Sequence, residues 1–233
     1  NEGELAFWTE WEGPTVATRF NSPTCRLCAK YYHEVQKPTV PQGVGNRANC
    51  RAEDGGLLNT DPCVFGRTFK YALCQQSENG VLRRLDDNSL ILFLSRIQGT
   101  YYLDTLFVVG ESRDYTTGSA NNIICSKEYR TLTLDRLSEG QNLTFYRGKT
   151  YQQCHTLFSF TPAKIWSNNN DIRCRCPLDL AIINQSAQQD IFNTRLTQGF
   201  RSTNLNQVNT VWKEIVYQVR NNGFVLGISF SMP

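Results

Sequence analysis

Phe7-Trp8-Thr9-Glu10-Trp11-Glu12 puts two indoles and two carboxylates within six residues. On a strand, alternation sends Trp8, Glu10 and Glu12 to one side. The result is a stacking surface beside acceptors for exocyclic amines, which is the chemistry that holds a nucleobase. Asn59-Thr60-Asp61-Pro62-Cys63-Val64-Phe65-Gly66-Arg67 reads as a polar turn entering a strand. Asn59 and Asp61 offer amide and carboxylate contacts, and the guanidinium fork of Arg67 matches a phosphate. Arg147, in Tyr146-Arg147-Gly148, is a second guanidinium suited to that task. The same residue types also have ordinary uses: Glu10 and Glu12 as charges guarding a strand edge, Asn59 and Asp61 as an Asx turn.

Nucleophiles and metal ligands form a second set. Nine cysteines, an odd number, leave at least one thiol unpaired in any disulfide scheme. Cys25-x-x-Cys28 has the spacing of adjacent tetrahedral ligands, and His33 with Cys50 would complete a Cys3His site for structural zinc. No second C-x-x-C follows, since Cys174-Arg175-Cys176 has a single residue between its sulfurs. Unligated thiols account for the same residues more plainly. Of two histidines, His155 adjoins Cys154, and neighbours on a strand would point to opposite faces. Cys74 and Asp104 are therefore the candidate catalytic thiol and carboxylate. No Walker A loop, G-x-G-x-x-G, H-E-x-x-H or G-x-S-x-G occurs, which disfavours the commonest NTPase, dinucleotide, zincin and hydrolase chemistries.

The elements that must position these groups follow from patterning. The segment Glu4 to Glu12 alternates as a strand and ends at Gly13-Pro14. Residues 21–58, rich in Pro, Gly and Asn, read as a loop-rich insertion carrying the Cys/His set. Phe69, Tyr71 and Leu73 alternate with Lys70, Ala72 and Cys74 as another half-buried strand. Ser89 to Ser95, a reversal at Gln98-Gly99, and Tyr101 to Gly110 predict a central hairpin, buried on both faces at Leu90–Leu94 and Leu106–Val109. Shorter strand-like runs fall at 123–125, 132–134, 143–147, 157–165 and 180–183. Val208, Val211, Trp212, Ile215, Val216 and Val219 recur at helical period, with Asn206 as the expected cap and Gly223 just past the end. Phe224 to Phe230 then returns as a strand. The expectation is a single domain over 1–233, α+β and mainly β: a curled or barrel-like, mostly antiparallel sheet with one C-terminal amphipathic helix.

Composition bounds the partners. The net charge is +3, too balanced to argue alone for a nucleic-acid or membrane-surface partner. No apolar run approaches the ~20 residues of a spanning helix, so no membrane partner is expected. Twenty Asn and fourteen Gln supply more amides than the 21 carboxylates, suiting both turns and base edges. With Met only at position 232 and Asn at position 1, the chain reads as one that has lost preceding residues. The odd cysteine count and modest cysteine density point to a reduced, cytoplasmic setting.

Phe7–Glu12, Asn59–Gly66, Ser89–Phe93 with Leu103–Val109, Tyr146-Arg147-Gly148 and Gly223–Phe230 together resemble an uncharacterised family of bacterial and phage proteins. That resemblance spans nearly the whole chain and implies no activity. The hairpin, preceded by Leu82-Arg83-Arg84-Leu85, is similar to the start of PUA-like domains of the ASCH and EVE kind, which implies a small barrel binding RNA or a modified base in a cleft. Tyr146-Arg147-Gly148 with Phe158-Ser159-Phe160-Thr161 is similar to the Arg strand and Ser/Thr strand of ADP-ribosyltransferases, although no Glu-x-Glu follows. The expected function is a nucleotide or nucleic-acid recognition module, with Trp8, Glu10 and Glu12 at the base and Arg67 or Arg147 at a phosphate. The alternatives are an enzyme acting on a nucleotide or modified base through Cys74 or Asp104, and a zinc-stabilised interaction protein.

Overall fold

Leu90 to Leu94 are all fully buried, which a strand achieves only when both of its faces are covered. The computed structural model describes residues 3–8, 15–19, 34–38, 64, 69–72, 83–118, 130, 134–138, 142–165, 171–173, 175–188, 191, 200–202 and 204–228. The strands are β1 (Gly3–Trp8), β2 (Thr15–Arg19), β3 (Glu34–Pro38), β4 (Lys70–Ala72), β5 (Leu90–Ile97) and β6 (Thr100–Tyr115), followed by β7 (Leu143–Gly148), β8 (Thr161–Ile165), β9 (Asp171–Arg173), β10 (Cys176–Pro177), β11 (Phe200–Ser202) and β12 (Val225–Gly227). Helices span Leu180–Ala187 and Leu205–Asn221, and one helical turn spans Asp135–Ser138.

The main sheet runs β11-β1-β5-β6-β7-β4, with β10 also on β6. β1 lies parallel to β5, and the remaining pairs are antiparallel. The fold is thus α+β with a mostly antiparallel sheet, as the patterning predicts. Among the described residues that sheet is open from β11 to β4 rather than closed into a barrel. Smaller sheets are β12-β8-β9 and the β2-β3 pair. The latter sets a strand, Glu34–Pro38, inside the stretch expected to be loop.

The β5–β6 hairpin turns at Gln98 and Gly99, both at positive φ (50° and 78°). Paired positive φ values are those of a type I′ turn, whose twist matches the strands it joins. β6 continues past Gly110 to Tyr115 because β7 takes over as its partner where β5 ends. Two bulges mark β6. Asp104 has no partner between Leu103↔Leu94 and Thr105↔Phe93. Gly110 has none between Val109↔Gly148 and Glu111↔Arg147. An extra residue bends the strand and redirects its side chains.

Leu90, Leu92, Leu94, Leu106 and Val108 form one core with Phe158, Phe160 and the helical stripe Val208, Val211, Trp212, Ile215 and Val219. The Trp212 indole N–H donates to the Phe158 carbonyl at 3.0 Å, fixing the helix to the segment before β8. Ile91, Phe93, Phe107 and Val109 pack on the opposite face with Phe69, Tyr71 and Tyr146. There the Tyr71 and Phe93 rings meet edge to face at 5.0 Å.

Several elements depart from the expected boundaries. Asn204, not Asn206, caps the C-terminal helix, its side chain accepting from the Asn206 N–H. Residues 180–183 are helical rather than extended, because Asp179 accepts from the N–H groups of Ala181 and Ile182 and the buried Ile183 and Ala187 lie four apart on one face. The strand expected over 157–165 begins at Thr161, and that expected from Phe224 is Val225–Gly227. The run 123–125 lies outside the described residues, and Leu134 leads into the Asp135–Ser138 turn.

Candidate functional site

The bulge at Gly110 and the chain leaving β7 enclose a pocket of about 410 Å³. Gly110 and Gly148 line it, with the cations Arg147 and Lys149, the carboxylate Glu111, and Thr150, Gln153 and Cys154 from the following turn. Both glycines permit close approach. A Cβ at Gly110 would lie 2.8 Å from Lys149 Cγ and 3.1 Å from its backbone N. One at Gly148 would lie 2.6 Å from both Phe69 Cβ and Ser159 Oγ. The missing side chains let the Lys149 backbone approach Gly110 and let Phe69 and Ser159 approach Gly148.

Glu111 accepts from two guanidiniums, Arg113 at 2.7 Å and Arg147 at 3.3 Å. One carboxylate neutralises one of them, so the pair keeps a net positive charge. Ion pairs this exposed contribute about 0–1 kcal/mol, so parting Arg147 from Glu111 costs little. Lys149 donates to Asp87 at 3.1 Å and to Asn88 at 2.5 Å. Gln153 Oε1 accepts from the Thr150 N–H at 2.9 Å and the Thr150 hydroxyl at 3.1 Å. With its oxygen pinned, the Gln153 amide keeps its NH2 as the donor end. Tyr151, 39% exposed, stands on the same turn with its ring 4.5 Å from His155 and 5.1 Å from Phe158.

Cys154 and His155 occupy this turn, not a strand, and the thiol's partner is Thr156 at 3.5 Å rather than the imidazole. The Thr156 hydroxyl is the largest influence holding the Cys154 thiol below its ordinary range. Burial opposes it, while the backbone at Thr156 and Leu157 and the Lys149 charge add to it. Cys176 shows the reverse: burial pushes its thiol up to about 12.

Asp104, a candidate catalytic carboxylate, is fully buried at the other bulge. Its Oδ1 accepts from Arg175 Nε at 2.9 Å and its Oδ2 from the Ser95 hydroxyl at 2.6 Å. Arg175 starts beside β10 and crosses β6 to reach Ser95 on β5, closing a buried cluster that fastens three strands. Ser159 and Thr161, the hydroxyls of the ADP-ribosyltransferase-like pattern, are likewise engaged inside. Ser159 Oγ accepts from the Val108 N–H at 2.9 Å, and the Thr161 hydroxyl pairs with Thr105 at 3.2 Å.

Of the predicted ligand contacts, Arg147 alone lines the pocket among the described residues. Trp8 ends β1 in register with Phe93, whose β6 partner is Thr105. Six residue steps along β6 take Thr105 to Glu111, the partner of Arg147, a span of about 20 Å. A single nucleotide does not bridge Trp8 and Arg147. Glu10, Glu12, Asn59, Asp61, Arg67 and Cys74 lie outside the described residues, as do Cys25, Cys28, His33 and Cys50. Among the described residues no three potential metal ligands cluster, and no helix is long and apolar enough to cross a membrane. Patterning missed Lys149, Tyr151 and Gln153, although Tyr146 to Cys154 (YRGKTYQQC) carries the signal: two cations, two aromatics and paired amides within nine residues. Neither a protein-family model, nor a curated protein, nor a solved structure matches this chain.

Proposed function

We propose that this protein recognises a nucleotide or nucleic acid, with a phosphate between Arg147 and Lys149 and a base against Tyr151. The observation that carries the reading is the convergence of both cations and a pinned Gln153 amide on one pocket of about 410 Å³, with an exposed aromatic, Tyr151, on the turn that supplies Thr150 and Gln153 to it. Guanidinium and ammonium suit a phosphate. A tyrosine ring offers a base a stacking face worth about 1–3 kcal/mol, and the Gln153 NH2 suits an acceptor on the base edge or the phosphate. A PUA-like origin of the β5–β6 hairpin belongs to the same reading, with the bulge pocket in the role of the cleft. Trp8 and its neighbouring acids then serve a second base rather than the one whose phosphate Arg147 holds.

Isothermal titration with thymidine and adenosine monophosphates tests this. Tyr151→Ala should weaken binding by roughly 5- to 150-fold, the equivalent of losing one stacked base, and Arg147→Ala should weaken it by at least about tenfold. Absence of binding by either nucleotide, or equal affinity in both variants and the parent protein, would refute the reading.

A further inference from the structure

We infer that the pocket is one station on a track for single-stranded nucleic acid, which continues over the cations of β4, β7 and β6; this rests on the nucleotide-recognition reading above. Register aligns Lys70 on β4, Arg147 on β7 and Glu111 on β6 as direct partners. Direct partners share a face and stand about 5 Å apart from strand to strand. Arg113 follows two residues along β6, so the same alternation puts it on that face, and its guanidinium is 2.7 Å from Glu111. Lys70, Arg113 and Arg147 against Glu111 give this row a net charge of +2, a large share of the +3 of the whole chain. Arg113 and Arg147 keep side-chain exposures of 56% and 30%.

A lone phosphate in the pocket lies against Arg147 and Lys149, whereas Lys70 and Arg113 stand along the row beyond the pocket lining. Successive phosphates of a connected strand would meet all four cations. The turn that follows β7 and lines the pocket carries an exposed aromatic, Tyr151, followed in sequence by the amides Gln152 and Gln153. A base must be unpaired to lie on that ring, which selects a single strand over a duplex. An acidic peptide would satisfy the cations but gain nothing comparable from the ring.

The test is fluorescence anisotropy with fluorescein-labelled oligothymidylate, set beside titration calorimetry of thymidine monophosphate. Between about 50 and 200 mM salt the oligonucleotide should give a log–log slope near −2 to −3, about −0.7 for each of three to four phosphates neutralised. Arg113→Ala and Lys70→Ala should each shift that slope by about 0.7 toward zero, and Lys70→Ala should leave thymidine monophosphate affinity within about twofold. Oligonucleotide binding no tighter than the mononucleotide, with slopes unchanged in both variants, would overturn the track and leave the pocket standing. Loss of all nucleotide binding would overturn both. Tighter binding of the matching duplex, or heparin binding equally well with no effect of Tyr151→Ala, would also overturn it, in favour of a duplex-binding or a purely polyanionic surface.

Discussion

Gly148 is where the fold and the pocket depend on one missing methyl group. Its N–H donates to the Phe69 carbonyl at 2.8 Å, bringing β7 against the chain before β4. In Gly148→Ala the new Cβ would lie 2.6 Å from Phe69 Cβ, 2.6 Å from Ser159 Oγ and 3.2 Å from Phe107 Cε2. Carbon pairs settle at about 3.5–4.0 Å, so the methyl is roughly 1 Å too close to a Cβ that no side-chain rotation can withdraw. Overpacking of this kind costs about 1–3 kcal/mol. Ser159 would also have to leave Val108, whose buried N–H it satisfies, at about 1–3 kcal/mol more. The sum, about 2–6 kcal/mol, corresponds to a fall in Tm of roughly 4–24 °C for a chain of this size. Gly118→Ala is the matched control: a Cβ there meets nothing within 4 Å, but φ is +88°, so the backbone term alone applies at about 1–2 kcal/mol. Urea unfolding of both variants measures the difference. Gly148→Ala within about 0.5 kcal/mol of the parent, or costing less than Gly118→Ala, would refute the close-packing argument.

Two further outcomes follow from the side-chain chemistry. Cys154, with its thiol held below the ordinary range, carries more thiolate at neutral pH than an unperturbed cysteine, and as pH is raised its alkylation should set in earlier than that of an unperturbed cysteine. Cys176, pushed up to about 12 and buried, should stay unmodified through the same range. Peptide-resolved mass spectrometry after iodoacetamide treatment reads both, and bound nucleotide should slow the Cys154 reaction; equal labelling of the two would contradict the assignment. Asp104→Asn strands a buried guanidinium and should cost about 3–5 kcal/mol, whereas Asp104→Leu combined with Arg175→Met should cost less than that single change. A double variant no more stable than Asp104→Asn in urea would show that the cluster holds the strands by something other than its charges.

The hairpin was legible because five apolar residues in a row require two covered faces, and Gln98-Gly99 suits a turn with positive φ. The C-terminal helix was legible because its stripe repeats over eleven residues, long enough to separate helical from extended period. Leu180–Ile183 was not. A short apolar run carries no period, and the deciding residue was Asp179, whose capping role shows only once the chain has turned. Nothing local announces that β1 pairs in parallel with β5, or that Asp104 and Gly110 are the extra residues of two bulges, because a bulge is a property of register between strands. That also explains the fate of the candidate site. Arg147 could be picked out as a guanidinium beside a glycine. Lys149 and Gln153 join it in the pocket lining through the turn after β7, a stretch with no apolar period to announce its shape. Asp104 was singled out as a carboxylate with no visible partner; its partner, Arg175, lies 71 residues away.

The claim that the Gly110 bulge pocket receives a nucleotide is tested most directly by amide chemical-shift mapping of the 15N-labelled protein during titration with thymidine monophosphate. Saturable shifts concentrated at Gly110, Glu111 and Arg147 through Cys154 are the predicted result. Shifts centred on β1 and Phe93 with Arg147 through Cys154 unmoved, or no saturable shift anywhere, would contradict it.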